Sequence, residues 1–167
     1  FADTRSSLKK LDPEHRKKLE GLEAVCSLAH HDKKISLYSP GYPTLNEKER
    51  AANPPNRVPL VLHHPVSGEA AIYGLNSSTC AIVPKGEIIS DSDLNVWDLE
   101  GKEDDSVKIL RDLLPFMTAP DFTVKWTWQE RDIVVWDNRC TMHAATGFDD
   151  KNYSREMWRL TLLQSKS

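Results

Sequence analysis

Phe122, Val124, Trp126 and Trp128 alternate with Thr123, Lys125 and Thr127, a period of two that marks a half-buried β-strand. A tight turn at Gln129-Glu130-Arg131 follows, then a second apolar strand, Ile133 to Asp137, and a last strand from about Arg155 to Gln164. No glycine-rich phosphate loop follows a strand and opens a helix, which excludes a dinucleotide-binding α/β fold. Predominantly antiparallel strands with helices packed outside suit a barrel or jelly roll, so the expected class is mainly β with flanking helices.

The earlier chain supplies the helices. Asp12-Pro13-Glu14 combines a capping carboxylate, proline at the first helical position and acid in the first turn. Leu19, Leu22, Val25 and Cys26 then recur at helical spacing, predicting a helix from about residue 13 to 29 with Arg16-Lys17-Lys18 as its solvated face. Residues 38–59 carry Pro40, Pro43, Pro54, Pro55 and Pro59 and read as a long loop insertion, a lid or a surface connection. Pro59–His64 and Glu69–Tyr73, joined by Pro65-Val66-Ser67-Gly68, form a β-hairpin. Residues 87–105, acidic and turn-rich around Trp97, read as a second loop insertion. Val107, Leu110, Leu113 and Leu114 make one helical stripe, which Pro115 and Pro120 close.

At 167 residues the chain is expected to form one domain, 1–167. A net charge of −3 leaves no electrostatic footprint for nucleic acid, and no apolar run is long enough to span a membrane. Cys26, Cys80 and Cys140 are odd in number and share no metal-type spacing, so a reduced, cytoplasmic compartment is expected. Trp97 alone leaves a homo-oligomer open. The first residues, Phe1-Ala2-Asp3, lack a methionine, as though further sequence lay upstream.

Chemistry concentrates between Trp136 and His143 and in Arg155 and Arg159, which share a face of the last predicted strand with Met157. A histidine at a strand end, followed by two cations on one face, suggests a metal beside a bound carboxylate. The plainer reading is a pair of ion-paired surface arginines. His63 and His64 are adjacent and face opposite ways on a strand, so they cannot chelate together. His30 and Asp32 have the His-x-Asp spacing of a facial iron triad, with His143 as a distant third ligand. They are expected at a helix C-terminus, where the helix dipole alone accounts for a histidine. Cys140 and Ser77-Ser78 lack any recognisable nucleophile frame.

The segments Asp132-Ile133-Val134-Val135-Trp136-Asp137-Asn138-Arg139-Cys140-Thr141-Met142-His143 and Arg155-Glu156-Met157-Trp158-Arg159 resemble the signature of the TauD/TfdA dioxygenases. Members carry Gly-Asp-apolar-apolar-Trp-Asp-Asn-Arg-x-Thr-x-His and, further on, Arg-x-Met-x-Arg. Phe1-Ala2-Asp3-Thr4-Arg5-Ser6-Ser7, the helix after it, and His64-Pro65…Gly68…Tyr73 also resemble the family, in its order. Arg131 stands where the family usually has glycine.

The resemblance implies a double-stranded β-helix, or jelly roll, lacking its N-terminal part. It implies an Fe(II)- and 2-oxoglutarate-dependent dioxygenase that uses O2 to hydroxylate a small, anionic organic substrate with release of succinate and CO2. His143 would be the distal iron ligand. Arg155 would hold the far carboxylate of 2-oxoglutarate, and Arg159 would face both the co-substrate and the substrate anion. Trp136, Asp137 and Asn138 would support the histidine strand. The family's His-x-Asp or His-x-Glu falls ahead of the position matched by Phe1, so the other two ligands are expected upstream of Phe1. The alternative is a non-catalytic jelly-roll binding module that keeps the anion pocket without a complete metal triad.

Overall fold

The computed structural model describes residues 1–88 and 105–162. Its strands are short and pair antiparallel throughout. Strand β1 (Ala2–Asp3) pairs with β7 (Thr141–Met142), Ala2 opposite Met142 and Asp3 opposite Thr141. A three-stranded sheet places β2 (Leu22–Cys26) between β3 (Asn56–Pro59) and β6 (Thr79–Pro84). The predicted hairpin is present as β4 (Val61–His63) and β5 (Ala70–Ile72). Leu60 joins it to the larger sheet: its N–H donates to Leu22 O and its carbonyl accepts from Tyr73 N.

Helix α1 (Thr4–Lys10) is capped by the Asp3 carboxylate, which accepts from the Arg5 and Ser6 amides. It packs on β5, and Glu69 ties it there through Arg5 at 3.3 Å and Lys9 at 2.6 Å. Leu8, Leu60, Ile72 and Met117 form the fully buried centre. Met117 and Leu113 come from α5 (Asp105–Met117), one turn apart on the same face.

Several expectations are corrected. The helix predicted over 13–29 ends early: α2 covers Pro13–Glu20, Gly21 closes it, and Leu22–Cys26 is strand β2. The apolar spacing there fits either period, and pairing on both sides decides for the strand, burying Ala24 and Val25 completely. Ser27 then caps α3 (Leu28–Tyr38). Residues 38–59 hold α4 (Glu47–Ala52), with a capping box between Asn46 and Glu49, and β3. Pro59 is accommodated because β3 is an edge strand. Helix α5 runs through Pro115 to Met117, because burial of Leu113 and Met117 outweighs one missing backbone bond; Leu114 is left exposed. The insertion at 87–105 lies almost wholly outside the described residues.

The late strands differ most. Phe1 and Val124 exchange backbone hydrogen bonds at 2.8 Å, and Ala2 bridges Thr123. Beyond Val124, residues 125–128, 133–137 and 155–162 join no ladder among the described residues, and positions 163 and 164 lie outside them. A strand exists only through a neighbour's hydrogen bonds, and the described residues supply none. Trp126, Ile133, Val135, Trp158 and Leu160 are correspondingly exposed. No helix among the described residues is long and apolar enough to cross a membrane.

Gly74 turns the chain between β5 and β6 with φ of 77°, and a Cβ there would lie 2.6 Å from Val58 Cγ2 and 3.0 Å from Ala24 Cβ. Both partners are anchored in the three-stranded sheet. Gly74→Ala should therefore cost roughly 2–4 kcal/mol, from the left-handed backbone and the overpacking together. Urea unfolding at unchanged m-value would show it as a lowered midpoint.

Candidate active site

His143 follows β7, a strand held along one side by β1 and the residue after it. Thr4 N donates to Cys140 O at 3.1 Å, and β1 pairs with Thr141 and Met142. Behind it, the Asp137 carbonyl accepts from Cys140 N at 3.2 Å and Thr141 Oγ1 at 2.7 Å, closing the turn that delivers the histidine.

The Asp137 carboxylate gathers four donors. Oδ1 accepts from Arg139 N at 2.9 Å and Arg139 Nε at 2.8 Å; Oδ2 accepts from Arg139 Nη2 at 2.5 Å and His64 Nε2 at 2.9 Å. The Arg139 guanidinium, against a smaller burial penalty and with His64 adding to it, holds this carboxyl well below the usual carboxylate range. Arg139 is in turn raised by Asp137.

Aromatic packing sets the histidine ring. The Trp136 ring lies 4.9 Å from that of His143 at 55°, and Phe1 lies 5.3 Å from Trp136 and 6.1 Å from His143. Trp136 Nε1 donates to Asn138 Oδ1 at 2.9 Å, which fixes the indole. Partial burial first, then the Arg159 guanidinium, lower the basicity of His143. A neutral imidazole is the form that ligates a metal. Arg155 lies with its guanidinium carbon 4.3 Å from the centre of the Phe148 ring, a cation–π arrangement.

The alternative ligands do not join His143. His30 and Asp32 sit in the first turns of α3, not at a helix C-terminus, so the dipole argument for them fails. Asp32 is buried and accepts from the Tyr42 hydroxyl at 3.4 Å, and the Ser27 cap holds the His30 backbone N–H. Among the described residues no group of three or more His, Cys, Asp or Glu side chains could hold a metal. A three-donor iron site therefore does not fit these residues; His143 offers one nitrogen. Cys140 is buried and burial, first, raises its thiol, while burial pushes the Cys80 thiol up to about 11. Both suit packing better than nucleophilic chemistry.

Residues 1–161 match the family model described as "Taurine catabolism dioxygenase TauD, TfdA family". The chain belongs to this family. It is 28% identical over 164 residues to the alpha-ketoglutarate-dependent 2,4-dichlorophenoxyacetate dioxygenase of Burkholderia sp. (strain RASC), covering 98% of this chain and 47% of that one. An alkylsulfatase of Acinetobacter baylyi is 42% identical over 60 residues, 36% of this chain and 19% of that protein. The crystal structure of a 2,4-D dioxygenase homologue from Burkholderia xenovorans superposes with a TM-score of 0.61 at 29% identity, covering 83% of this chain and 45% of that one. AAD-2 in complex with Mn(II) and N-oxalylglycine gives the same TM-score at 27% identity, with 83% and 46% covered. The chain thus spans about half the length of the curated TauD/TfdA relatives it matches.

Sequence reasoning did not find the roles of His64 and Arg139. Strand alternation placed His63 and His64 on opposite faces, and His63 does turn outward, its Nδ1 3.3 Å from Gly68 O. The partner of His64 is 73 positions away, beyond the reach of any local pattern.

Two outcomes follow from this geometry. Arg131 adopts a φ of 72°, the left-handed region that favours glycine. Arg131→Gly should raise stability by up to about 1 kcal/mol, read as a higher denaturation midpoint. Asp137→Asn should be destabilising from neutral pH down to about pH 4, the carboxylate's ordinary range. Because the folded pKa is depressed, the unfolded chain takes up the proton first, and Asp137's contribution disappears as pH falls further. Wild type and variant should converge in denaturation curves below that pH.

Proposed function

We propose that this chain is part of an Fe(II)- and 2-oxoglutarate-dependent dioxygenase that uses O2 to oxidise a small anionic organic substrate, with release of succinate and CO2. The observation that carries the reading is His143. It ends the segment that resembles the family signature, rests against Trp136, and is lowered in basicity by partial burial and by Arg159. His143 would give one ligand nitrogen, and the remaining ligands would come from outside the described residues. Arg155 would grip the far carboxylate of 2-oxoglutarate as a bidentate fork, leaving Phe148 to do so. Arg159 would pair with the substrate anion. The whole enzyme would be a double-stranded β-helix, a reading supported by the uniformly antiparallel pairing and by late segments that still lack strand neighbours.

The names of the relatives favour aryloxyacetates and alkyl sulfates as the first substrates to try. The binding-module alternative draws no support from them. The protein carrying this chain should release succinate from 2-oxoglutarate only when Fe(II) is present, in a panel of aryloxyacetates, alkyl sulfates and sulfonates, and His143→Ala should abolish it. Absence of iron-dependent succinate across the panel would overturn the proposal. Arg159→Ala should raise the substrate KM by roughly 10- to 100-fold, the loss of one charge-assisted pair. The KM for 2-oxoglutarate should move far less; equal changes would remove Arg159 from the substrate.

A further inference from the structure

His64 is locked in one tautomer. The backbone N–H groups of Val66 and Ser67 both point at its Nδ1, at 3.2 and 3.1 Å, so that nitrogen is an acceptor and carries no proton. The ring proton therefore sits on Nε2 and is donated to Asp137 Oδ2 at 2.9 Å. The side chain is largely buried, at 13% exposure, with the β4–β5 turn at one edge of its ring and Asp137 at the other. The side chains of Arg5, Asp3 and Glu69 form a separate ion-pair group, and Glu69 meets His64 through its backbone, its carbonyl accepting from His64 N at 2.9 Å.

We propose that His64 is a positioning residue for His143. The β4–β5 turn orients its imidazole, the imidazole fixes the Asp137 carboxylate together with Arg139, and the Asp137 carbonyl closes the turn leading into β7. Through that turn His64 sets where the His143 ring meets Trp136, without itself touching any reacting group. The inference deepens the dioxygenase reading and rests on it for its catalytic meaning. The geometric part stands on the hydrogen bonds alone.

Two conservative variants separate the two ends of the imidazole. His64→Asn places an amide oxygen near Nδ1 and keeps the acceptor for Val66 and Ser67, but removes the donor to Asp137. His64→Gln places an amide nitrogen near Nε2 and keeps that donor, but removes the acceptor. In NMR spectra of the chain, the nuclear Overhauser contact between the His143 ring and the Trp136 indole should be lost in His64→Asn and kept in His64→Gln. If His64→Asn keeps the contact, or both variants lose it, the proposal is overturned.

A measurement on the unsubstituted protein covers the case in which His64→Asn does not fold. Long-range nitrogen–proton correlation should place the His64 proton on Nε2 alone at neutral pH, and a proton on Nδ1 would overturn the proposal equally. In a preparation that forms succinate, His64→Asn should lower kcat by about 10- to 100-fold, the usual effect of losing a residue that orients a ligand. The KM for 2-oxoglutarate should stay unchanged, and His64→Gln should restore most of the rate. A protein that makes no succinate but shows the NMR pattern would refute the dioxygenase reading and leave the positioning role standing.

Discussion

One residue, Asp137, links the turn of the β4–β5 hairpin to the turn that leads into β7. Its oxygens take a fork from Arg139 and the imidazole proton of His64, and its carbonyl closes the turn into β7. A half-exposed ion pair alone is worth little, because solvent screens it and side-chain entropy opposes it. Here the pair is only two residues apart and is braced by a histidine from another sheet, so the geometry is over-determined. The Asp137 side chain meets the hairpin turn through His64, and its backbone carbonyl holds Cys140 and Thr141.

This arrangement explains why the first residues of the chain matter as much as the last. Strand β1 pairs with β7, and Phe1 lies against both Trp136 and His143. Asp3 serves twice, as the partner of Thr141 in the ladder and as the cap of α1, with Arg5 also bonded to its side chain. Helix α1, through Lys9 and Arg5 on Glu69, then ties the same region to the hairpin that carries His64. The turn carrying His64 is thus fixed relative to His143 by two routes: one through Asp137, the other through α1.

How much of this could be read in the residues depended on range. The hairpin around Pro65–Gly68 was legible, because its strand pattern and turn chemistry are local. The family that the segment from Trp136 to His143 resembles is the one whose model matches residues 1–161. Leu22–Cys26 was misread as helix because Leu19, Leu22 and Val25 recur at helical spacing, and pairing with β3 and β6 makes the segment a strand. The His64–Asp137 bond was invisible for the same reason: a contact across 73 positions leaves no periodicity. Arg131 is the converse case, a departure at one position that the backbone absorbs in a left-handed turn.

The late segments complete the physical picture. Residues 124–128 and 132–137 are joined by a turn that Asp132 stabilises, accepting from Trp126 Nε1 at 3.1 Å and Gln129 N at 3.0 Å. Two runs with a strand period therefore enter the turn and leave it with their relative position set, while their apolar side chains stay exposed. Under the jelly-roll reading, neighbouring strands would give these runs hydrogen-bond partners and cover Trp126, Ile133 and Val135, at about 25 cal/mol for each Å² of apolar surface removed from water. The His64–Asp137–Arg139 network needs none of that pairing. It joins the hairpin turn to the turn into β7 through side-chain bonds, so that connection and the remaining sheet can form by separate interactions.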